Sequence, residues 1–308
     1  MLRTILLLIF TMIIVPLVSF NYSEPLSAEQ WAILKNAAAI ALGVALLCFI
    51  ISELTKNYSQ TDKIWSTAPI LYVWYMTHAA NYDDRMILMA ILVTIWGLRL
   101  TYNFSRRGGY HWKFWEGEED YRWAILRKEQ TFLQPNWAWR LFNFFFIAGY
   151  QNGLIFLFTT PILAAYTGED TILTWVDYSL ASLFVFFLLY ETVADNQQWD
   201  FQNKKHALIK VGEPLFDDYA KGFLASGLWS RSRHPNYFAE QAIWIVFYLF
   251  SVVATGEWIN WSMIGCLLLL LLFYNSSEFS EDISARKYPL YKKYQEEVPR
   301  FFPKLIQS

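Results

Sequence analysis

Apolar residues run along this chain in long blocks separated by short polar stretches. A hydrocarbon core of about 30 Å is crossed by roughly 20 helical residues. Eight stretches approach that size: 2–20, 31–51, 64–80, 86–104, 138–164, 172–194, 238–256 and 258–276. The third is the weakest, being short and holding His78. The last two are joined by almost no chain, which predicts a tight antiparallel hairpin. Residues 1–20 also resemble a signal peptide, because Arg3 precedes the apolar run, but no small-x-small cleavage site follows. Seven further stretches favour a retained helix. With no internal repeat and no low-complexity linker, the pattern predicts an all-α protein. It is one polytopic integral membrane bundle over residues 1–308, with about eight transmembrane helices, cytosolic loops and an interfacial C-terminal helix.

Charge sorts the loops. The segment 105–137 carries Arg106, Arg107, Lys113, Arg122, Arg127 and Lys128. The segment 195–237 carries Lys204, Lys205, Lys210, Lys221, Arg231 and Arg233, and the tail carries Arg286, Lys287, Lys292, Lys293, Arg300 and Lys304. The loops 21–30, 165–171 and 256–257 have no Lys or Arg. Eight spans put every basic segment on one side, and the positive-inside rule makes that side cytosolic, with both termini there. An inner bacterial membrane and an endoplasmic reticulum membrane give the same bias.

Composition agrees: 55% of residues are hydrophobic, 19% aromatic and 17% charged, too apolar for an ordinary soluble domain. A net charge of −2 gives no reason to expect nucleic acid binding. Cys48 and Cys266 lie inside apolar runs and read as small buried hydrophobes. The four histidines, His78, His111, His206 and His234, are too far apart to form a metal-binding motif, so no metal site is expected.

The densest polar stretch against a span is Gly227 to Glu240. Pro235 suits the first turn of a helix, where its missing N–H costs nothing. Arg231 and Arg233 then precede a helix N-terminus, and guanidiniums beside free N–H groups favour a phosphate-bearing ligand. The plainer reading, two flanking charges anchoring a helix, is weakened by His234, Asn236, Tyr237 and Glu240 crowded beside them. At the end of the sixth stretch, Glu191, Asp195, Gln198 and Gln202 share one helical face. Asp195 with Gln198 could hold a ribose or an amide, although a water-facing stripe explains the outer residues as well. Arg99, Asn103 and Arg106 form a similar stripe, with Arg106 able to snorkel.

Residues 116–122 form an acidic turn flanked by aromatics. A solvated loop is its simplest explanation, but it could also supply an acid at the membrane face. Trp112, Trp115, Trp123, Trp137 and Trp139 fit an interfacial aromatic belt. In the tail, mixed charges with regular tyrosines predict a short interfacial helix, and Arg286 and Tyr291 could close over a nucleotide.

Trp229, Arg233, His234, Pro235, Asn236, Tyr237 and Glu240 resemble the C-terminal signature of the steroid 5-alpha-reductase superfamily, most closely its DUF1295 branch. Other features fit the same branch: the run Trp96 to Leu100 before Gly117 to Arg122; Glu191, Asp195, Gln198 and Phe201; and Glu281, Arg286, Tyr291, Phe302 and Pro303. The resemblance covers most of residues 90–308, and Ala239 stands where the family usually has glycine. It implies a membrane-embedded oxidoreductase that uses NADPH to reduce a conjugated carbon–carbon double bond in a lipophilic substrate. Carried over, the cofactor contacts are Asp195, Trp229, Arg231, Arg233, Asn236, Tyr237, Glu240 and Arg286, and Gln198, His234 and Tyr291 join them as neighbours in the same clusters. The family's substrate-polarising residues lie in the N-terminal half, which does not align here. Tyr121 and Glu119 are the catalytic candidates on chemistry and location, as hydrogen-bond donor and acid.

Isoprenylcysteine and phospholipid methyltransferases carry a similar Arg-His-Pro-x-Tyr element and take S-adenosylmethionine instead. Asn236 and Glu240 favour the reductase, and Asp282 stands where those enzymes tend to have a second glutamate. A non-enzymatic scaffold that has kept the fold is disfavoured by the cost of burying so many charges without a ligand. Sterol, polyprenyl and fatty-acyl enones suit the apolar bundle equally.

Overall fold

The computed structural model describes residues 10, 14–22, 25–113, 117–168 and 171–304, and the regular structure among them is helical, with no strand. After α1 (Val15–Tyr22), helix α2 (Ala28–Thr55) opens on a reciprocal cap. Ser27 Oγ accepts from the Gln30 N–H at 3.1 Å, and the Ser27 N–H donates to Gln30 Oε1 at 2.9 Å. It closes on Lys56, whose φ of 57° turns the chain out of the helix. Two short helices follow, α3 (Gln60–Ile64) and α4 (Ala68–Ala79). Helix α5 (Asp84–Arg106) starts at Asp83, whose carboxylate accepts from the N–H groups of Arg85 and Met86, both at 3.0 Å. Helix α6 (Tyr121–Glu129) starts in the same way at Asp120.

Helix α7 (Asn136–Ala164) contains a π-helical stretch over Asn143–Tyr150. The long α8 (Trp175–Val211), the short α9 (Asp217–Lys221), α10 (Pro235–Thr255), α11 (Met263–Lys287) and α12 (Tyr291–Glu297) complete the chain. Pro235 is the first residue of α10, the position where a missing N–H costs nothing.

Among the described residues, six helices are long and apolar enough to cross a bilayer: α2, α5, α7, α8, α10 and α11. The chain is an integral membrane protein of polytopic helical type. Of the eight expected spans, one is corrected and one lies mostly outside the described residues. The first, 2–20, falls largely outside the described residues, where only Phe10 and 14–20 are seen. The third, 64–80, is interrupted by the turn 65–67, leaving α4 with 12 residues, well short of a span. Exposed apolar stripes mark where lipid would lie. Leu47 and Leu54 on α2, Ile91, Ile95, Leu98 and Tyr102 on α5, and Phe186, Leu189 and Val193 on α8 are all open at the surface.

The chain groups into two compact units, residues 1–181 with 247–268, and residues 182–246 with 269–308. In the first, α4 packs along α5, and α2 packs against the π-helical stretch of α7. Gly265 makes room for α7: a Cβ there would sit 2.1 Å from Leu157 O. A buried ion pair joins Arg85 to Asp177, with Nε 2.7 Å from Oδ1 and Nη2 3.4 Å from Oδ2. Asp177 also accepts from the Thr174 N–H and hydroxyl, each at 2.8 Å. The expected hairpin of α10 and α11 forms, with a longer connection than the sequence implied. Gly256 turns the chain at φ 74°, Tyr248 Oη donates to Trp258 O at 2.8 Å, and Asn260 Nδ2 donates to Ser251 Oγ at 3.0 Å.

Candidate functional site

In the second unit, the polar stretch before α10 is organised by one carboxylate. Glu281, on the last turns of α11, is 1% exposed. Its Oε1 accepts from Arg233 Nε at 2.7 Å and lies 2.9 Å from His234 Nε2. Its Oε2 accepts from Arg233 Nη2 at 3.1 Å and Gln295 Nε2 at 2.9 Å. Arg233 spends Nη1 on the carbonyls of Gln295 and Val298. The tail then runs beside this stretch: the N–H groups of Arg233 and His234 donate to Pro299 O at 2.9 Å and Arg300 O at 3.0 Å, and the Lys304 N–H donates to Arg231 O at 3.0 Å. Ser232 Oγ donates to Arg300 O at 3.1 Å.

This changes the role of Arg233. The sequence suggested a guanidinium waiting for phosphate at a helix N-terminus. Here that guanidinium is buried and committed to Glu281 and two carbonyls. It positions the tail. Arg231 is exposed, and so is Arg286, which does not line the cavity described next.

A cavity of about 190 Å³ opens beside the network, and seven of the residues singled out from sequence line it: Gln198, Trp229, Arg233, His234, Asn236, Tyr237 and Tyr291. Several are held by contacts of their own. Trp229 Nε1 donates to Ala194 O at 3.1 Å, and Tyr294 Oη closes onto Trp229 O. Asn236 Nδ2 donates to Asp195 Oδ1 at 3.1 Å, so the α8 stripe and the α10 start meet as expected. The Tyr237 ring stacks on His234 at 5.2 Å between centroids and meets Phe273 edge-on at 4.9 Å. Tyr291 and Tyr294 bury their rings with Phe223, so α12 is anchored by an aromatic cluster. Burial pushes both phenols up, with Glu281 raising them further against Arg233. Glu240 is buried deeper in α10, accepting from Trp244 Nε1 at 3.0 Å, and Glu191 is buried on α8. Neither lines the cavity.

Glu119 and Tyr121 belong to the first unit. Their loop is not simply solvated. Asn57 Nδ2 donates to Gly117 O at 3.0 Å, the Tyr58 N–H to Glu119 Oε1 at 2.6 Å, the Asp120 N–H to Ser59 Oγ at 2.9 Å, and Trp123 Nε1 to Asp62 Oδ2 at 3.3 Å. The acidic turn is thus stitched to residues 57–62, and that segment is tied to α7 through Thr61 Oγ1, which donates to Ile147 O at 3.1 Å. Glu116 lies outside the described residues. Partial burial raises the Glu119 carboxyl above its ordinary value, helped by Asp62 and Asp120, while the Tyr58 N–H and Arg127 pull it back. Its side chain reaches water and lines a second cavity of about 570 Å³. Tyr121 is 59% exposed, at the first position of α6, and does not line that cavity. The aromatic belt divides: Trp123 and Trp139 are core residues, Trp112 and Trp137 are exposed, and Trp115 lies outside the described residues.

Sequence reasoning gave Glu281 no role at the site. Its signal was a carboxylate in the last turns of an apolar helix, which is costly without a partner. Among the described residues, no group of His, Cys, Asp and Glu could hold a metal ion.

Comparison with known proteins adds a family. The profile of the family described as "Protein of unknown function (DUF1295)" matches residues 48–298. An uncharacterized protein of Schizosaccharomyces pombe is 37% identical over 269 residues, covering 84% of this chain and 76% of its own. No solved structure matches.

Proposed function

This chain belongs to the DUF1295 family, and on that premise we propose that it is a membrane-embedded reductase of the steroid 5-alpha-reductase superfamily. It would use NADPH to reduce a conjugated carbon–carbon double bond in a lipophilic substrate. The supporting observation is convergence: residues scattered from Gln198 to Tyr291 line one cavity, with Asp195 bonded to one of its walls. If α7, α8, α10 and α11 cross the bilayer in alternation, the basic segments beside them share one face, and the positive-inside rule would make it cytosolic.

The fit to a nicotinamide cofactor is partial and specific. A cavity of about 190 Å³ is below the range of about 300–1,000 Å³ typical of whole small-ligand sites. It admits one ring with its amide or sugar, and the rest of a dinucleotide would lie outside. Gln198 and Asn236 supply amide groups that pair with a carboxamide or a ribose hydroxyl. The phosphates would fall to exposed Arg231 and Arg286, since Arg233 is committed elsewhere.

When bound, the cofactor would supply a hydride to the β-carbon of an enone. The reaction also needs an acid for the α-carbon and a donor to the carbonyl; on chemistry alone the candidates are Glu119, whose carboxyl is raised by partial burial and can be reprotonated from water, and Tyr121. A cavity this small admits an adenine as readily as a nicotinamide, which keeps an S-adenosylmethionine-dependent methyltransferase as the second reading.

Thermal stabilisation of the purified protein in uncharged detergent separates them. A ligand at 100 times its dissociation constant adds about 2.7 kcal/mol. NADPH is expected to stabilise, and Asn236→Ala to weaken that response, measured as the shift from the variant's own unliganded midpoint. Stabilisation by S-adenosylmethionine alone would refute the reductase, and no response to either ligand would favour a scaffold.

A further inference from the structure

The cavity of about 570 Å³ in the first unit is large enough for a small-molecule head group. It lies where α2 ends and α7 begins, at one end of two bilayer-length helices. Its wall is not what a neutral sterol needs. Lys56, Arg127, Lys128 and Arg140 line it against only Glu53 and Glu119, an excess of at least two positive charges whatever the state of Glu119.

The carboxylates are already in use. Glu53 is shared between Arg140 at 3.1 Å and Lys56 at 3.5 Å. Glu119 accepts from the Tyr58 N–H. The unbalanced charge therefore centres on Arg127 and Lys128. Arg127 is held in place: its guanidinium lies over the Trp139 ring, 5.2 Å from the centroid, and Nη2 donates to Asn136 Oδ1 at 2.6 Å. A cation fixed beforehand loses little freedom when it meets an anion. The aromatic side of the wall is closed and rigid: Trp139 is 2% exposed and meets Tyr58 edge-on with ring centroids 5.3 Å apart, so Arg127 rests on a fixed surface.

We propose that this cavity receives the phosphate-bearing head of a long-chain lipid. A phosphate monoester carries about −1.5 to −2 charges at neutral pH and three strong acceptor oxygens. That matches the charge excess and the guanidinium of Arg127, held in advance over the Trp139 ring. The position at a helix end lets an alkyl tail run along the apolar surface while the head stays at the interface. As an assignment of substrate class this rests on the reductase reading; as a binding site it does not.

The test uses the whole protein in dodecylmaltoside at low salt, with dodecyl phosphate, dodecanol and inorganic phosphate as probes of thermal stabilisation. Dodecyl phosphate should bind at least tenfold more tightly than either other probe. Arg127→Gln should weaken it tenfold or more, leaving dodecanol unchanged. Lys128→Gln, at an exposed position, should weaken it in the same direction if the first variant does not fold. Equal binding of dodecanol, or charge-neutral variants that leave dodecyl phosphate binding intact, would overturn the proposal. Inorganic phosphate binding as tightly as dodecyl phosphate would overturn the lipid source. A parallel NADPH titration keeps the two readings apart: NADPH binding without a preference for the anionic probe sinks only this proposal, and the reverse sinks only the reductase.

Discussion

Replacing Glu281 by alanine should be among the most destabilising single changes in the second unit. The carboxylate is 1% exposed, and Arg233, His234 and Gln295 all direct polar atoms at it. Its removal leaves the Arg233 guanidinium, itself 8% exposed, without the carboxylate it is ion-paired to among the described residues. Breaking a buried ion pair from one side costs about 3–5 kcal/mol, because the surviving charge stays desolvated. That is roughly two to four orders of magnitude in the unfolding equilibrium. Adding up the separate hydrogen bonds would overstate the effect, since they share two oxygens and polarise one another. Equilibrium unfolding in mixed dodecylmaltoside and dodecyl sulfate micelles, followed by tryptophan fluorescence, measures it. The double variant Glu281→Leu with Arg233→Met should recover part of the loss, because replacing both partners removes the buried charges. A cost below about 1 kcal/mol for Glu281→Ala, or a double variant no more stable than the single, would refute the idea that one carboxylate organises this region.

Three further outcomes follow from the first unit. Arg85→Met should cost about 3–5 kcal/mol in the same assay, with recovery when Asp177→Leu is added, because both groups are buried together. Gly265→Ala should lower stability sharply, since its Cβ would meet the backbone carbonyl of Leu157 at 2.1 Å and backbone cannot turn aside as a side chain can; a neutral result would mean that α7 and α11 do not pack as described. Glu119→Gln should change the pH dependence of stability. A carboxyl raised in the fold binds its proton more tightly there than in the unfolded chain, so stability falls as pH rises from the ordinary value of 4.5 through the raised one. The glutamine variant should lose that fall, and an identical pH profile for both proteins would show that Glu119 is not perturbed.

Helix type, bilayer-length spans and the start of α10 at Pro235 were legible because they depend on local pattern. Hydrophobic run length, a proline's missing N–H and an Asp or Ser before a helix act within a few residues. The approach of Asp195 to Asn236 was also foreseeable, since a helical stripe and a family signature pointed to the same cluster. The use of Arg233 was not. From sequence its guanidinium was free to meet phosphate; which anion it meets depends on where Glu281 lands, 48 positions along the chain. The acidic turn was equally opaque. Its charges suggested water, but the groups that fasten it, Asn57 and Tyr58 as donors and Ser59 as acceptor, come from a segment some 60 residues earlier. The interruption of the third span at 65–67 similarly escaped a hydropathy count, because composition alone does not mark where a helix is broken.

The sequence by itself therefore determined a helical membrane protein, its spanning segments in outline, and a set of residues that belong together. Tertiary structure decided which of those residues bear on one another and which remain open to a ligand. The physical reason is range: hydrophobic length and caps are written in neighbouring residues, whereas the partner of a buried charge is set by packing between segments far apart in the chain.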